Sequence, residues 1–267
     1  MMLLNGVPAD SIGLTDRSFQ YGDGCFTTML TRDGEIEHWP LHIERMNACL
    51  KVLKIPEPDW PLVHQWLLSA AQPVSKAGLK LHISRGEGGR GYSPTHVTSP
   101  NVTISDFTYP VHYEQWRRQG VVIGLCSTRL GHNPLLAGHK HNNRLEQVIL
   151  KAEMDQLGLA DGIALDLDGR VIETTMANLF WLNNRTLCTP DLSRCGVAGV
   201  MRRLVFDIAQ QLGIPVCVDD YQLPEMMNAD EVFMVNSLLG VAPICQVGKK
   251  SFEIGTITTR IQEMIAS

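Results

Sequence analysis

The sequence has no excess of positive charge and no long apolar run. Its 23 lysine and arginine residues are outnumbered by 28 aspartate and glutamate residues, which gives a formal charge of -5. Nucleic-acid binding usually needs a basic excess, and a membrane-spanning helix needs about 18 or more consecutive apolar residues. We therefore expect a protein that binds neither nucleic acid nor a membrane. An anionic ligand would have to be attracted by a few placed cations.

Cysteine is present, but not in the patterns that signal disulfides or a metal site. The seven cysteines are odd in number and scattered, and none of them forms a C-x-x-C pair. Such thiols suit a reducing compartment, and the first residues, "MMLLNGVPADS", lack the basic region of a signal peptide. The sequence predicts a cytoplasmic protein that binds a small-molecule substrate and no metal.

The rhythm of the sequence changes near residue 109 of 267, a length that suits one large or two modest domains. Before that point, a hairpin turning at Asp33-Gly34 precedes two helices and two alternating strands. Beyond it, hairpins turning at Asp168-Gly169 and Asn183-Asn184 alternate with widely spaced helices. We predict an α+β protein with an N-terminal domain over 1–108, a linker over 109–119 and a C-terminal domain over 120–267.

A glycine-rich segment, "RGEGGRG", imitates a dinucleotide-binding fingerprint. Gly86, Gly88 and Gly91 have the G-x-G-x-x-G spacing after a strand, and Asp106 follows about 20 residues later. The fingerprint also needs a helix directly after it, whereas "YSPTHVTSP" contains two prolines and is too short for a crossover helix. The segment therefore predicts a loop, which is either a solvated turn or a lid that clamps anions.

Two segments could bind an anion, and each also has a purely structural explanation. Gly199 would let the backbone approach a ligand closely, and the amides of Val200 and Met201 lie in the unpaired first turn of a helix. The same glycine could simply start that helix. Arg45, in "LHIERM", lies on a helix whose apolar face points inward. It is either a surface arginine with a buried stem or a buried phosphate ligand.

Further polar residues could complete a site for one cofactor. Asn236 and Ser237 end an apolar strand, where they form either a turn or a phosphate contact, and Glu173 ends the strand "VIETT". Lys140, in "GHKHNNRLEQ", has no carboxylate within two residues. Pyridoxal 5'-phosphate (PLP) needs a lysine for its aldehyde, amides and an arginine for its phosphate, and an acid for its pyridine nitrogen. The combined set of residues predicts PLP as the cofactor.

Six segments follow the order seen in one known family: "DRSFQYGDGCFTT", "LHIERM", "GHKHNNRLEQ", "ETTMANLFW", "GVMRR" and "NSLLGVAPI". They span almost the whole chain, and on them the sequence resembles the class IV aminotransferases, which are the fold type IV PLP enzymes. The resemblance implies a smaller N-terminal α/β sandwich, a larger C-terminal barrel-like domain with helices, and a homodimer. It implies Lys140 as the Schiff-base lysine and Glu173 on the pyridine nitrogen. The remaining cofactor-binding residues that it implies are Arg45, Gly199, Val200, Met201, Asn236 and Ser237.

Within this family, three segments carry a closer likeness: "SRGEGGRGY", "KHNNRLEQ" and "NSLLGVAPI". They resemble its lyases and imply the conversion of 4-amino-4-deoxychorismate to 4-aminobenzoate and pyruvate, a step of folate biosynthesis. In this interpretation, Arg90 and Tyr92 hold a substrate carboxylate. Lys140 removes the C4 proton of the substrate, and Thr28 assists in proton transfer to the leaving group.

The alternative is an aminotransferase of the same fold that acts on D-amino acids or branched-chain amino acids. The D-amino-acid enzymes resemble this chain in the loop of Arg90 and Tyr92. The branched-chain enzymes usually have a tyrosine where this chain has Leu145 and an acidic residue where it has Thr27, which argues against that activity. A ligand-binding domain without catalysis would need no reactive lysine, so Lys140 argues against that class.

Overall fold

The computed structural model describes residues 1–266, which divide into two compact units. The first unit contains residues 1–109 together with residues 139–144, and the second contains residues 110–138 and the chain from residue 145 onward. The segment that carries Lys140 therefore lies in the first unit, although the sequence placed it in the C-terminal domain. Within the described residues, no helix has the length and apolar character that a membrane crossing requires.

The first unit contains an antiparallel sheet of six strands in the order β2-β1-β6-β5-β3-β4. Its strands are β1 (Met2–Leu4), β2 (Val7–Pro8), β3 (Gly24–Arg32), β4 (Glu35–Ile36), β5 (Ala77–Ser84) and β6 (Asn101–Thr108). Its helices are α1 (Arg17–Tyr21), α2 (Trp39–Leu53) and α3 (Trp60–Ala70). Met29 and Leu79 point from the sheet into a core that Leu50 of α2 and Leu67 of α3 complete. Helices thus cover one sheet face, and alternation along the strands sends polar side chains to the other.

The second unit contains a mixed sheet whose main path is β12-β11-β10-β13-β14-β7-β8-β9. Its strands are β7 (Val121–Leu130), β8 (Gly162–Asp166), β9 (Val171–Thr174), β10 (Asn178–Asn183), β11 (Thr186–Pro190), β12 (Val216–Asp219), β13 (Glu231–Asn236), β14 (Gly240–Val247) and β15 (Lys250–Ser251). Its helices are α4 (His112–Gln119), α5 (Leu145–Gln156), α6 (Val200–Gln211), α7 (Leu223–Met227) and α8 (Thr256–Ala266). The end strand β9 comes close to β10, so the sheet curls on itself. With helices and two sheets, the α+β class is confirmed.

Local turn signals located the hairpins well. Asp33 and Gly34 have φ values of 50° and 87° between β3 and β4, as a tight two-residue turn requires. The hairpin of β10 and β11 turns one residue later than predicted, at Asn184 and Arg185, whose φ values are 49° and 66°. Asn183 instead pairs across the ladder with Thr186.

The segment predicted as a linker, residues 109–119, contains a helix. Helix α4 belongs to the second unit and buries Tyr113. The rings of Tyr113 and Trp116 lie 5.2 Å apart, one helical turn from each other along the chain. Aromatic packing therefore stabilises a helix where the sequence showed no clear apolar period.

Candidate functional site

Lys140 lies in a short segment that extends the first sheet beside β3. The N–H of Phe26 donates to the C=O of Lys140 at 3.0 Å, and the N–H of Asn142 donates to the C=O of Gly24 at 2.9 Å. The Nζ atom of Lys140 lies 4.6 Å from the centroid of the Phe26 ring. Two backbone hydrogen bonds and one cation–π contact thus fix the backbone and the amine of Lys140.

Thr28 lies two residues beyond Phe26, so its side chain is on the same face of β3. Directly across the ladder, Lys80 of β5 pairs with Thr28 and brings its Nζ within 4.9 Å of the Phe26 centroid. The structure therefore groups Thr28 and Lys140 with a second ammonium that sequence reasoning missed. The alternation in "KLHIS" was the available signal, because it places Lys80 on the face away from the core.

Arg45 lies on α2, where its guanidinium donates to the hydroxyl of Thr27. That hydroxyl also hydrogen-bonds Nδ1 of His42 at 2.6 Å. Burial lowers the pKa of Arg45 to about 10, its Nε atom has no hydrogen-bond partner, and no carboxylate among residues 1–266 pairs with it. A half-buried cation that no carboxylate pairs with is a candidate partner for a ligand anion.

The N-terminus of α6 is built to leave its first amides available. Asn178 accepts a hydrogen bond from the N–H of Gly199 at 3.1 Å and donates to the C=O of Val197 at 2.7 Å. A Cβ atom at position 199 would lie 2.3 Å from that Asn178 oxygen, so this close approach requires glycine. Within the described chain no side chain caps the helix, and the amides of Val200 and Met201 occupy its first turn.

Glu173 of β9 is a buried carboxylate, 5% exposed, in the same unit as α6. Its Oε2 accepts from the N–H of Val197 at 3.0 Å, and its Oε1 accepts from the side chain of Gln147 at 3.5 Å. The backbone that leads to α6 is also held by Gly138, which donates to the C=O of Gly196 at 3.0 Å. These bonds give the carboxylate a fixed orientation, as an acid that keeps a ring nitrogen protonated would need.

The turn between β13 and β14 gives Asn236 a structural role. Its Oδ1 accepts from the amides of Leu238 at 3.0 Å and Leu239 at 2.8 Å, and its Nδ2 donates to the C=O of Met176 at 3.4 Å. Asn236 is therefore occupied with forming the turn that presents Ser237. The apolar strand predicted to end at Asn236 and Ser237 is β13, which ends at Asn236, and the turn leads back into β14.

Arg90 and Tyr92 lie on the glycine-rich loop between β5 and β6. Arg90 exchanges two backbone hydrogen bonds of 3.1 Å with Ser93, and Tyr92 is 89% exposed. No helix follows the glycines, so this loop lacks the helix N-terminus at which a dinucleotide fingerprint binds pyrophosphate. The geometry leaves both side chains accessible to a ligand.

One group of possible metal ligands occurs among the described residues: His132, Asp166 and Asp168. Nε2 of His132 lies 3.0 Å from a carboxylate oxygen of Asp166, and the Arg170 guanidinium lies 2.9 Å from Asp168. The Arg170 guanidinium pairs with both carboxylates, so ion pairing accounts for the closeness of this group.

Comparison with known proteins gives consistent matches. Residues 24–247 match the family model described as amino-transferase class IV. The chain is 54% identical to the aminodeoxychorismate lyase of Vibrio harveyi over 98% of each chain. The crystal structure of 4-amino-4-deoxychorismate lyase from Pseudomonas aeruginosa superposes with a TM-score of 0.94 at 38% identity, covering 99% of this chain and 98% of that one.

A more distant match shows the fold with a cofactor bound. The PLP-bound form of a hypothetical aminotransferase from Mycobacterium tuberculosis has a TM-score of 0.84 at 20% identity, over 100% of this chain and 97% of that chain. These matches confirm the fold type that the sequence resemblance implied.

Proposed function

Because this chain belongs to the class IV aminotransferase family, we propose that it is a lyase that converts 4-amino-4-deoxychorismate to 4-aminobenzoate and pyruvate. The observation that carries the proposal is 54% identity with the Vibrio harveyi lyase over 98% of both chains. The aminotransferase alternative has less support, because the branched-chain-amino-acid aminotransferase of Escherichia coli is 26% identical over 83% of this chain, whereas the Vibrio harveyi lyase is 54% identical over 98%. The reaction is a step of folate biosynthesis, and we place the enzyme in the cytoplasm as a homodimer.

We further propose PLP as its cofactor, on the basis of groups that each unit offers by itself. Arg45 offers a half-buried cation that lacks a carboxylate, and α6 offers the amides of Val200 and Met201. Each of these groups suits a phosphate by its own chemistry, as does the hydroxyl of Ser237, while Glu173 suits the pyridine nitrogen. Lys140 suits the aldehyde. When bound, PLP supplies a ring that accepts the electron pair released as a carbon–hydrogen bond breaks.

In the proposed reaction, the residues of this chain move protons and hold the substrate. Lys140 Nζ takes the proton from C4, the carbon–oxygen bond to the enolpyruvyl group breaks, and the departing methylene receives a proton to become pyruvate. Thr28, on the same strand face as Phe26, is the assistant in that second transfer. Arg90 and Tyr92 bind a substrate carboxylate, since an arginine can form two parallel hydrogen bonds with it.

The reaction type is tested by coupling pyruvate formation to lactate dehydrogenase, with and without 2-oxoglutarate. We expect equal rates in both assays and release of 4-aminobenzoate, because a lyase needs no keto-acid acceptor. A rate that depends strictly on 2-oxoglutarate would assign the protein to the aminotransferases instead.

The cofactor assignment is tested by borohydride reduction of the PLP-loaded protein, followed by peptide mass spectrometry. We expect the cofactor mass on Lys140 and its loss in Lys140→Ala. Lys80→Ala is the matched control, because Lys80 places its ammonium at the same Phe26 ring. Labelling that survives in Lys140→Ala, or that disappears only in Lys80→Ala, would contradict the assignment.

A further inference from the structure

A buried arginine holds the glycine-rich loop by its main chain. Arg17, at the start of α1, is only 3% exposed. Its Nη1 donates to the C=O of Gly91 at 3.0 Å and of Ser93 at 3.4 Å, with a longer contact to Gly88 at 3.5 Å. Its Nη2 donates to the C=O of Tyr92 at 3.1 Å. The Arg17 side chain thus donates hydrogen bonds to carbonyl groups on both sides of the loop tip.

The glycine spacing of the loop fits around this guanidinium. Gly88 and Gly91 have φ values of 108° and 57°, which lie in the region that favours glycine. A Cβ atom at Gly89 would lie 2.9 Å from Nη1 of Arg17 and 2.4 Å from the C=O of Ser93. The motif that imitates a dinucleotide fingerprint therefore wraps a cation of the same chain, not a pyrophosphate.

Arg17 is itself held by Asp23, which also holds Arg85. Nε of Arg17 lies 2.9 Å from Asp23, and Arg85 contacts the same carboxylate at 2.7 and 3.0 Å. Burial alone would raise the pKa of Asp23, but hydrogen bonds from Arg85 and Arg17 keep it below its ordinary value. The other donors of Arg85 bind the C=O groups of Leu53 and Lys54, at the end of α2. Both arginines thus bind Asp23, but Arg17 binds carbonyls of the glycine-rich loop and Arg85 binds carbonyls at the end of α2.

We propose that Arg17 is a positioning residue for the lyase reaction: fixed by Asp23, its guanidinium holds the loop so that Arg90 and Tyr92 meet the substrate carboxylate. This proposal rests on the function proposed above. A planar guanidinium can spread its five donors over several carbonyls, whereas a lysine offers one compact ammonium. Arg17→Lys therefore keeps the charge beside Asp23 and loses the grip on the loop.

The test compares Arg17→Lys with Arg85→Lys, which perturbs the same carboxylate at a side chain that binds Leu53 and Lys54 and no carbonyl of Gly88 to Ser93. We expect Arg17→Lys to accelerate tryptic cleavage after Arg90 and to raise KM for aminodeoxychorismate about tenfold, equivalent to about 1.4 kcal/mol. The value of kcat and the bound PLP should stay close to wild type. Arg85→Lys should leave the cleavage rate and KM unchanged.

Gly89→Ala is the second variant, because its Cβ would lie 2.4 Å from the C=O of Ser93 and 2.9 Å from Nη1 of Arg17, and so would disturb the bond between these two groups while the pair with Asp23 remains. It should reproduce the faster cleavage and the higher KM. Equal effects of Arg17→Lys and Arg85→Lys would overturn the proposal, since the shared ion pair would then be the cause. Unchanged cleavage in Arg17→Lys and Gly89→Ala would also overturn it, as would an unchanged KM. If the wild-type protein had no lyase activity, the proposed function would fail, and the cleavage contrast would still decide whether Arg17 holds the loop.

Discussion

At the scale of single residues, Arg45 combines partial burial with the lack of a carboxylate partner. A hydrogen bond to a charged group contributes about 1.5–3 kcal/mol, so we expect Arg45→Met to weaken PLP binding about 10- to 100-fold. Binding of pyridoxal, which has no phosphate, should change little. Fluorescence titration with the two ligands measures the difference.

The same substitution has an expected effect on the protein without cofactor. Because the guanidinium is half-buried and no carboxylate pairs with it, Arg45→Met should not lower the free energy of unfolding in urea. Arg203→Met, on the exposed side of α6, is the control and should leave PLP binding unchanged. Equal weakening of PLP and pyridoxal binding by Arg45→Met would contradict the assignment of Arg45 to the phosphate.

Thr28 carries a prediction about proton transfer. Thr28→Ala should lower kcat for pyruvate release about tenfold or more, because the hydroxyl that assists the second proton transfer is gone. Thr28→Ser should restore most of the rate. Absorbance of the bound cofactor should be the same in all three proteins. An undiminished kcat in Thr28→Ala would leave Lys140 as the sole proton carrier.

Sequence reasoning at this scale selects residues whose chemistry is distinctive where they stand. Lys140 and Glu173 are predicted as site residues because a lysine and a strand-end acid fit the needs of one cofactor. Arg17 and Lys80 went unnoticed, since their roles depend on partners far along the chain. Arg17 donates hydrogen bonds to carbonyl groups more than seventy residues away along the chain, and no local sequence pattern predicts such bonds.

At the scale of elements, the start of α6 depends on the contact between Gly199 and Asn178. Gly199→Ala would force its Cβ to 2.3 Å from the Asn178 oxygen, so that hydrogen bond must break. We expect a loss of about 1–3 kcal/mol in the free energy of unfolding and weaker phosphate binding. Urea unfolding and PLP titration measure the two effects.

Gly213, just beyond the other end of α6, provides the control. Its φ is 66°, but open space surrounds it, so Gly213→Ala should cost about 1 kcal/mol of stability through backbone strain alone. PLP affinity should be unaffected. If both alanine variants weakened PLP equally, the α6 amides would lose their proposed role.

Sequence patterns predicted elements best where the signal was local. The β3–β4 and β8–β9 hairpins turn at Asp33-Gly34 and Asp168-Gly169, where the Asp-Gly pairs in the sequence predicted turns. The pairing of β11 with β12 is parallel and joins residues separated by helix α6, so it could not be read from neighbouring residues. Helix α4 was missed because three aromatic side chains pack together along it instead of forming an apolar stripe.

At the scale of the whole molecule, the half-buried histidine His82 makes stability depend on pH. Burial and then the charge of Lys80 lower the pKa of His82 to about 4, while Asp16 acts in the opposite direction. The unfolded chain, with an ordinary histidine pKa of about 6.5, then binds more protons than the native state between these values. Stability should be complete above about pH 6.5 and should fall as the pH drops toward 4.

We expect His82 to contribute a loss of about 2 kcal/mol in the free energy of unfolding between pH 7.5 and pH 5. His82→Gln should reduce this pH dependence. Urea unfolding at the two pH values provides the measurement. The same slope in wild type and His82→Gln would exclude His82 as the source.

The change in the pattern of helices and hairpins near residue 109 predicted two units. It did not predict that residues 139–144 belong to the first unit. That placement depends on backbone hydrogen bonds between Lys140 and Phe26, which lie more than a hundred residues apart. Backbone pairing of this kind carries no residue-type signal, because any side chain can accompany it.

The late arrival of the Lys140 segment has a consequence for the order of events during synthesis. During translation β3 is synthesised long before residue 140. On a growing chain, the C=O of Gly24 and the N–H of Phe26 therefore lack their partners in Asn142 and Lys140. An unpaired edge can add a strand from another chain, which makes this interval the one most exposed to aggregation. The residue proposed for catalysis is therefore also the one whose emergence closes that edge.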